Sequence, residues 1–174
     1  TFAEAAAFNT AFLQDIADNL IAAGRDADIA GYMAFGPPGS DAFFRRHLPP
    51  RIGLVEAWLP HFGDCLLTAI QALLERGHDA AVVLNSDSPT LPTALLVEAA
   101  AVLALPGDRA VLGPSTDGGY YLLGLKAKHR RLFEDVRWST EHVARQTLER
   151  AAEIDLDVHM LPAWYDVDDA ESLR

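Results

Sequence analysis

Three short stretches place carboxylates where they could act together. Asp87 sits in the segment Asn85-Ser86-Asp87-Ser88-Pro89, directly after the apolar run AAVVL at 80–84. A small and β-branched run without alternation reads as a strand covered on both faces. In an open parallel sheet, ligands bind beyond the carboxyl ends of the strands. Pro89 and Pro92 stiffen the loop that follows, although Asp87 could equally cap its own turn or the next helix. Asp117 lies in GPSTDGGYY at 113–121, between two apolar runs. Gly118 and Gly119 let the backbone approach a ligand closely, and Ser115 and Thr116 offer hydroxyls, but Asp-Gly is also a strong hairpin signal. Asp166 and Asp168 alternate in Trp164-Tyr165-Asp166-Val167-Asp168, so an extended chain would put both on one face; the other reading is an acidic cap on a helix beginning near Ala170. The chemistry that unites these positions is that of Mg²⁺ or Mn²⁺. Mg²⁺ prefers hard oxygen ligands and is usually held by one or two carboxylates plus substrate phosphates, whereas zinc would want His or Cys.

Other chemistries lack their residues. The histidines at 47, 61, 78, 129, 142 and 159 show no HExxH spacing, and Cys65 excludes an internal disulfide framework because it is the only cysteine. Neither a GxGxxG nor a GxxxxGK[ST] fingerprint occurs. The basic run Lys126-Ala127-Lys128-His129-Arg130-Arg131 reads as a solvated loop, with an anionic substrate as the alternative.

Positioning such residues requires a scaffold, and the pattern supplies one. Phe8, Phe12, Ile16 and Leu20 recur every four positions, which lays an apolar stripe along a helix expected to stop at Gly24. Leu66, Leu67, Ile70, Leu73 and Leu74 mark a second helix ending before Gly77, and Leu95, Leu96, Ala99, Val102 and Leu103 a third. A further helix is expected with buried positions Val143, Thr147, Leu148, Ala151 and Ile154. Strands are expected at 28–35, 54–59, 80–84, 109–112, 120–125 and 158–161. Helices alternating with short strands predict an α/β sandwich with a largely parallel sheet. The 174 residues, half of them apolar, form one domain, 1–174, with an ordinary core. A net charge of −11 argues against nucleic acid as a partner, and no apolar run reaches the roughly 20 residues of a membrane helix, so a cytoplasmic protein is expected.

Four segments, NSDSPTLP (85–92), GPSTDGGYYLLGL (113–125), LFEDVRWST (132–140) and LPAWYDVDD (161–169), resemble in order and spacing the bacterial DUF2064 family, also called selenodomain-associated transferase 1. That family is glycosyltransferase-A-like. The resemblance implies a nucleotide-diphospho-sugar transferase fold, a three-layer α/β/α sandwich with a mainly parallel sheet. It also implies a Mg²⁺-dependent transferase that joins a nucleotide-activated donor to a small-molecule acceptor. Asp87 would bind the metal that bridges the nucleotide phosphates, with Asp117 as the second catalytic or metal carboxylate and the Asp166/Asp168 pair as further metal candidates. Gly118, Gly119 and Tyr120 would line the acceptor side, with Ser86 and Thr140 also substrate-binding. Mg²⁺ would neutralise the diphosphate leaving group while the fold aligns the reactants. Nucleotidyl transfer to a phosphorylated acceptor and a non-catalytic binding domain are the alternatives. Relative to the family, the chain is expected to lack a first strand and a basic, glycine-containing phosphate loop ahead of Thr1. Phe62-Gly63-Asp64-Cys65 also stands where the family has Leu-Gly-Glu-Arg.

Overall fold

A computed structural model describes residues 1–167, so Asp168 and the helix expected near Ala170 lie outside the described residues. The first helix, α1 (Phe2–Asp26), is capped by Thr1, whose hydroxyl accepts from the Glu4 N–H at 3.3 Å. It runs through Gly24, the expected stop, to Asp26. The glycine serves a close approach instead, since an added Cβ would stand 2.9 Å from the Ile29 carbonyl oxygen. Strands β1 (Tyr32–Phe35) and β2 (Gly53–Glu56) flank α2 (Asp41–His47). Next comes α3 (Phe62–Glu75), which ends just before Gly77 at φ 94°, where glycine tolerates the left-handed turn. The chain continues through β3 (Ala81–Leu84), α4 (Thr93–Leu103), β4 (Ala110–Pro114) and β5 (Tyr120–Leu125). A 3-10 turn at Arg130–Phe133, α5 (Val143–Glu153) and β6 (Val158–Met160) complete it.

The expectation of a mainly parallel sheet is wrong. Among the described residues, β1 and β2 form one parallel pair, and a separate four-stranded sheet has the order β3-β5-β4-β6. In the larger sheet β4/β6 is parallel, while β3/β5 and β4/β5 are antiparallel. The reason is the connection at 115–119. A parallel crossover needs a dozen or more residues, so the short Asp-Gly-Gly loop forces a hairpin, and β5 then inserts between β4 and β3. Strand β3 is accordingly an edge strand of its ladder rather than a central one. Ala81 is buried, but Val82, Val83 and Leu84 are only half-buried.

Two clusters of buried side chains sort by strand parity. Ala81, Ala110, Leu112, Leu123 and Leu125 pack with Leu67 and Ile70 of α3, Ala144 and Ala151 of α5, and Leu132 and Phe133. Val111 and Leu122 pack instead with Ala23 of α1 and with Leu95, Leu96, Ala99 and Leu103 of α4. Ile70, Leu122, Leu123 and Leu125 are fully enclosed; burying each contributes about 1.5–3 kcal/mol. The alternation breaks once. Gly113 pairs with Leu122 and Pro114 with Tyr120, so Tyr121 is the extra residue of a bulge. Tyr121 therefore falls on the α4 face, where its ring covers Gly113, a position at which an added Cβ would sit 2.2 Å from it. Tyr120 faces the other cluster.

These strand directions decide where the acidic loops emerge. Strands β3, β4 and β6 all run the same way, so residues 85–88, the hairpin 115–119 and residues 161–167 leave the sheet at one end. The basic run follows β5 and leaves at the opposite end.

Candidate functional site at the carboxyl ends of the strands

The loop after β3 begins with Asn85, whose N–H donates to the Tyr121 carbonyl at 2.9 Å and so extends the ladder by one residue. Its side-chain Oδ1 is buried without a hydrogen-bond partner among the described residues. Ser86 is exposed and Asp87 half-buried. Ser88 is 2% exposed, and its hydroxyl donates to the Tyr165 carbonyl at 3.0 Å. Residues 164–167 thus reach this loop from β6, and the Val167 N–H donates to the Asp87 carbonyl at 2.8 Å.

The same segment reaches the hairpin. Trp164 pairs with Ser115 as a parallel bridge; its N–H donates to the Pro114 carbonyl at 3.1 Å, and its carbonyl accepts from the Thr116 N–H at 3.0 Å. The Ser115 hydroxyl donates to Asp166 Oδ2 at 3.3 Å. Asp87 and Asp166 are therefore brought to one ridge by backbone ties on both sides of residues 164–167. Both are further engaged in interactions of their own.

Asp117 stands at the exposed tip of the hairpin, where its Oδ1 accepts the Gly119 N–H at 2.8 Å. This is the hairpin reading of Asp-Gly-Gly, with the carboxylate stabilising its own turn. Gly118 has φ 95°, and an added Cβ would meet the Glu141 carbonyl oxygen at 2.2 Å, so its Cα packs against backbone rather than facing solvent. The Gly118 carbonyl accepts from the Ala144 N–H at 3.0 Å, which docks the hairpin on the start of α5. Tyr120 is turned into the α3/α5 cluster with its hydroxyl buried and without a partner among the described residues, and that desolvation pushes its pKa well above the usual phenol range. The Thr140 hydroxyl donates to the Arg137 carbonyl at 2.7 Å and accepts from the His142 N–H at 3.3 Å, so it builds the turn ahead of α5.

Sequence reasoning named Asp87 and Asp166 but passed over Asn85, Ser88 and Thr90 as participants. Their signal was available only as hydroxyl and amide residues crowded beside a strand end. Among the described residues no group of three or more His, Cys, Asp or Glu side chains is gathered to hold a metal ion. The donor set at the ridge still fits a hard divalent cation of the Mg²⁺ type, because such an ion takes one or two carboxylates and completes its shell with phosphate and water.

A mixed α/β chain with acidic loops gathered at one end of its sheet belongs among folds that bind ligands beyond the strand ends. In structure it is similar to a protein from Desulfovibrio desulfuricans G20 described as a "putative nucleotide-diphospho-sugar transferase". The TM-score is 0.85 at 28% sequence identity, over 97% of this chain and 72% of that one. The chain belongs to the family described as "Uncharacterized protein conserved in bacteria (DUF2064)", whose model matches residues 19–140. That span holds Asp87, Asp117 and Thr140 but stops short of Asp166. No curated protein matches the chain. No helix among the described residues is long and apolar enough to cross a membrane.

Proposed function

We propose that this chain is a divalent-metal-dependent transferase acting on a nucleotide-diphospho-sugar donor and a small-molecule acceptor. The observation that carries this reading is the joining of the Asp87 loop to the Asp166 segment through the Val167 N–H, at the end of the sheet where the β3, β4 and β6 loops converge. The likeness to the Desulfovibrio protein supports it. The α/β/α layering expected of that fold fits the two clusters, which hold α3 and α5 against one strand parity and α1 and α4 against the other.

In this reading Asp87 and Asp166 hold the cation, which when bound supplies charge neutralisation at the donor's diphosphate. The protein's own part is positional. Ser115 orients Asp166, the loop stiffened by Pro89 fixes Asp87, and the hairpin presents Asp117 at its tip toward the acceptor. Ser86, exposed next to Asp87, is placed to meet the donor. Calorimetry with nucleoside diphosphates and sugar nucleotides tests the proposal. Binding should require Mg²⁺ or Mn²⁺ and be lost in Asp87→Ala; equal binding with and without metal overturns it. Product analysis with sugar nucleotides and nucleoside triphosphates then separates glycosyl transfer, which releases a nucleoside diphosphate from a sugar nucleotide, from nucleotidyl transfer, which releases pyrophosphate from a triphosphate.

A further inference from the structure

Two hydroxyls next to Asp87 do more than fill a turn. The Thr90 hydroxyl accepts from the Trp164 indole N–H at 3.2 Å and donates to the Tyr165 hydroxyl at 2.9 Å. The Trp164 and Tyr165 rings stack at 5.5 Å and 24°, so one threonine engages the polar edges of both members of a stacked pair. Ser88, two residues away and buried, holds the Tyr165 carbonyl at 3.0 Å. These bonds join positions more than seventy residues apart. Among the described residues, 164–167 have no ladder beyond the single bridge to Ser115, so side chains add order that a strand would get from its neighbours.

We infer that Ser88 and Thr90 are positioning residues: together they pin residues 164–167 across the end of the sheet and thereby set where Asp166 stands relative to Asp87. The inference rests on the transferase reading for its purpose, but its geometry stands apart from it. The segment is held at three successive places. Thr90 takes Trp164 and Tyr165 by their side chains, Ser88 takes the Tyr165 carbonyl, and the Asp87 carbonyl takes the Val167 N–H. Asp166 lies between the last two, with Ser115 fixing its carboxylate from the hairpin side. Releasing the first two holds would remove the side-chain ties between the β3 loop and this segment, leaving that side only the Val167 N–H bond to the Asp87 carbonyl. The two carboxylates would then have no fixed spacing for a shared cation. The effect is on geometry, since both hydroxyls are engaged with residues 164 and 165 and neither is assigned as a ligand of the cation.

The test has two arms. In the metal-free protein, amide hydrogen exchange read by NMR reports the tie itself. Thr90→Val keeps the shape and removes the hydroxyl of an exposed residue, and should speed exchange at Val167 and Thr116 at least tenfold while the amides of α4 and β5 keep their protection. Ser88→Ala should do the same, and Thr90→Ser should restore wild-type exchange. In the second arm Mn²⁺ alone is titrated and followed by water-proton relaxation, with affinity expected to fall at least fivefold in Thr90→Val and to recover in Thr90→Ser. Unchanged exchange at Val167 in Thr90→Val overturns the positioning role, as does undiminished Mn²⁺ affinity alongside faster exchange. A wild-type protein that takes up no Mn²⁺ overturns the metal reading, and the exchange arm still decides whether Ser88 and Thr90 hold the segment. Should Ser88→Ala fail to fold because the Tyr165 carbonyl loses its buried donor, Tyr165→Phe replaces it. That variant removes one of the two partners of the Thr90 hydroxyl while keeping the stacked ring and the Trp164 bond, and unchanged Val167 exchange in it counts against the Thr90 hold.

Discussion

At one end of the four-stranded sheet, Arg131 reaches Glu153 at 2.6 Å and Asp135 at 2.7 Å, while Arg130 pairs with Glu134 at 3.0 Å. At the other, the Gly119 N–H and the Ser115 hydroxyl, both neutral, donate to Asp117 and Asp166. At the basic end Arg130 and Arg131 satisfy charge with charge, in a network that includes Arg150 and Glu153 at 2.9 Å. The run at 126–131, an anion-site alternative by composition, is thus a structural face. Lys126 is spent instead on a neutral acceptor, the Leu105 carbonyl at 2.5 Å. At the acidic end, dipoles help to hold the carboxylates in place. In the proposed cation-binding reading these donors orient the carboxylates, whereas the arginine ion pairs at the other end belong to a solvated face.

The comparison breaks first at the hairpin. Gly118→Ala forces a Cβ onto the Glu141 backbone in a left-handed conformation and should cost about 3 kcal/mol or more, read by denaturant unfolding. Gly119→Ala, whose Cβ would meet only the Asp117 carboxylate at 3.2 Å, should cost under about 1 kcal/mol. The acidic end is also the one that fails in alkali. Burial, with the charge of Glu98 adding to it, pushes the Tyr121 pKa up to about 12, while its hydroxyl donates to the Pro162 carbonyl at 2.9 Å. The folded state therefore holds this proton more tightly than the unfolded chain, whose phenol titrates near 10. Its stabilisation is complete below about pH 10 and is lost as pH rises toward 12, a fall of about 2 kcal/mol measurable by chemical unfolding across that window. Tyr120 shifts in the same direction. Hydrogen bonds that Arg131 donates to Glu153 and Asp135 raise its pKa further, so Arg131 keeps its charge throughout.

Smaller effects sharpen the contrast. Asp166→Asn should weaken Mg²⁺-dependent nucleotide binding at least tenfold in calorimetry, about 1.4 kcal/mol. Asp117→Asn retains an acceptor for the Gly119 N–H, so it should leave the melting temperature unchanged and lower turnover alone. Arg131→Ala, at the opposite end, should leave nucleotide binding at the wild-type value and produce only a small, salt-sensitive loss of stability.

Most helices were legible because their apolar spacing is local. Leu67 and Ile70 are buried as the α3 pattern requires, and Gly77 takes the positive φ expected of a helix stop. In α5, Val143, Thr147 and Ala151 are buried as expected, while Ile154, one residue past the helix, is 38% exposed. The acidic loops too were found by type and position. Pairing was not legible. The AAVVL run carries the pattern of a strand covered on both faces, yet β3 ends at the edge of its ladder because β5 returns antiparallel beside it. The signal lay in loop 115–119, whose Asp-Gly pair and shortness both favour a hairpin.

The amino-acid sequence by itself determined the element types, the acidic loops and the two glycines of the hairpin, because periodicity, turn chemistry and backbone freedom act over a few residues. Only the tertiary structure decided that β5 inserts between β4 and β3 and that Asp87 and Asp166 share a ridge. It alone brought Thr90 and Ser88 against residues 164–167. Those outcomes depend on hydrogen bonds between positions such as Ser88 and Tyr165, 77 residues apart, whose geometry exists only once the sheet has set the directions of its strands.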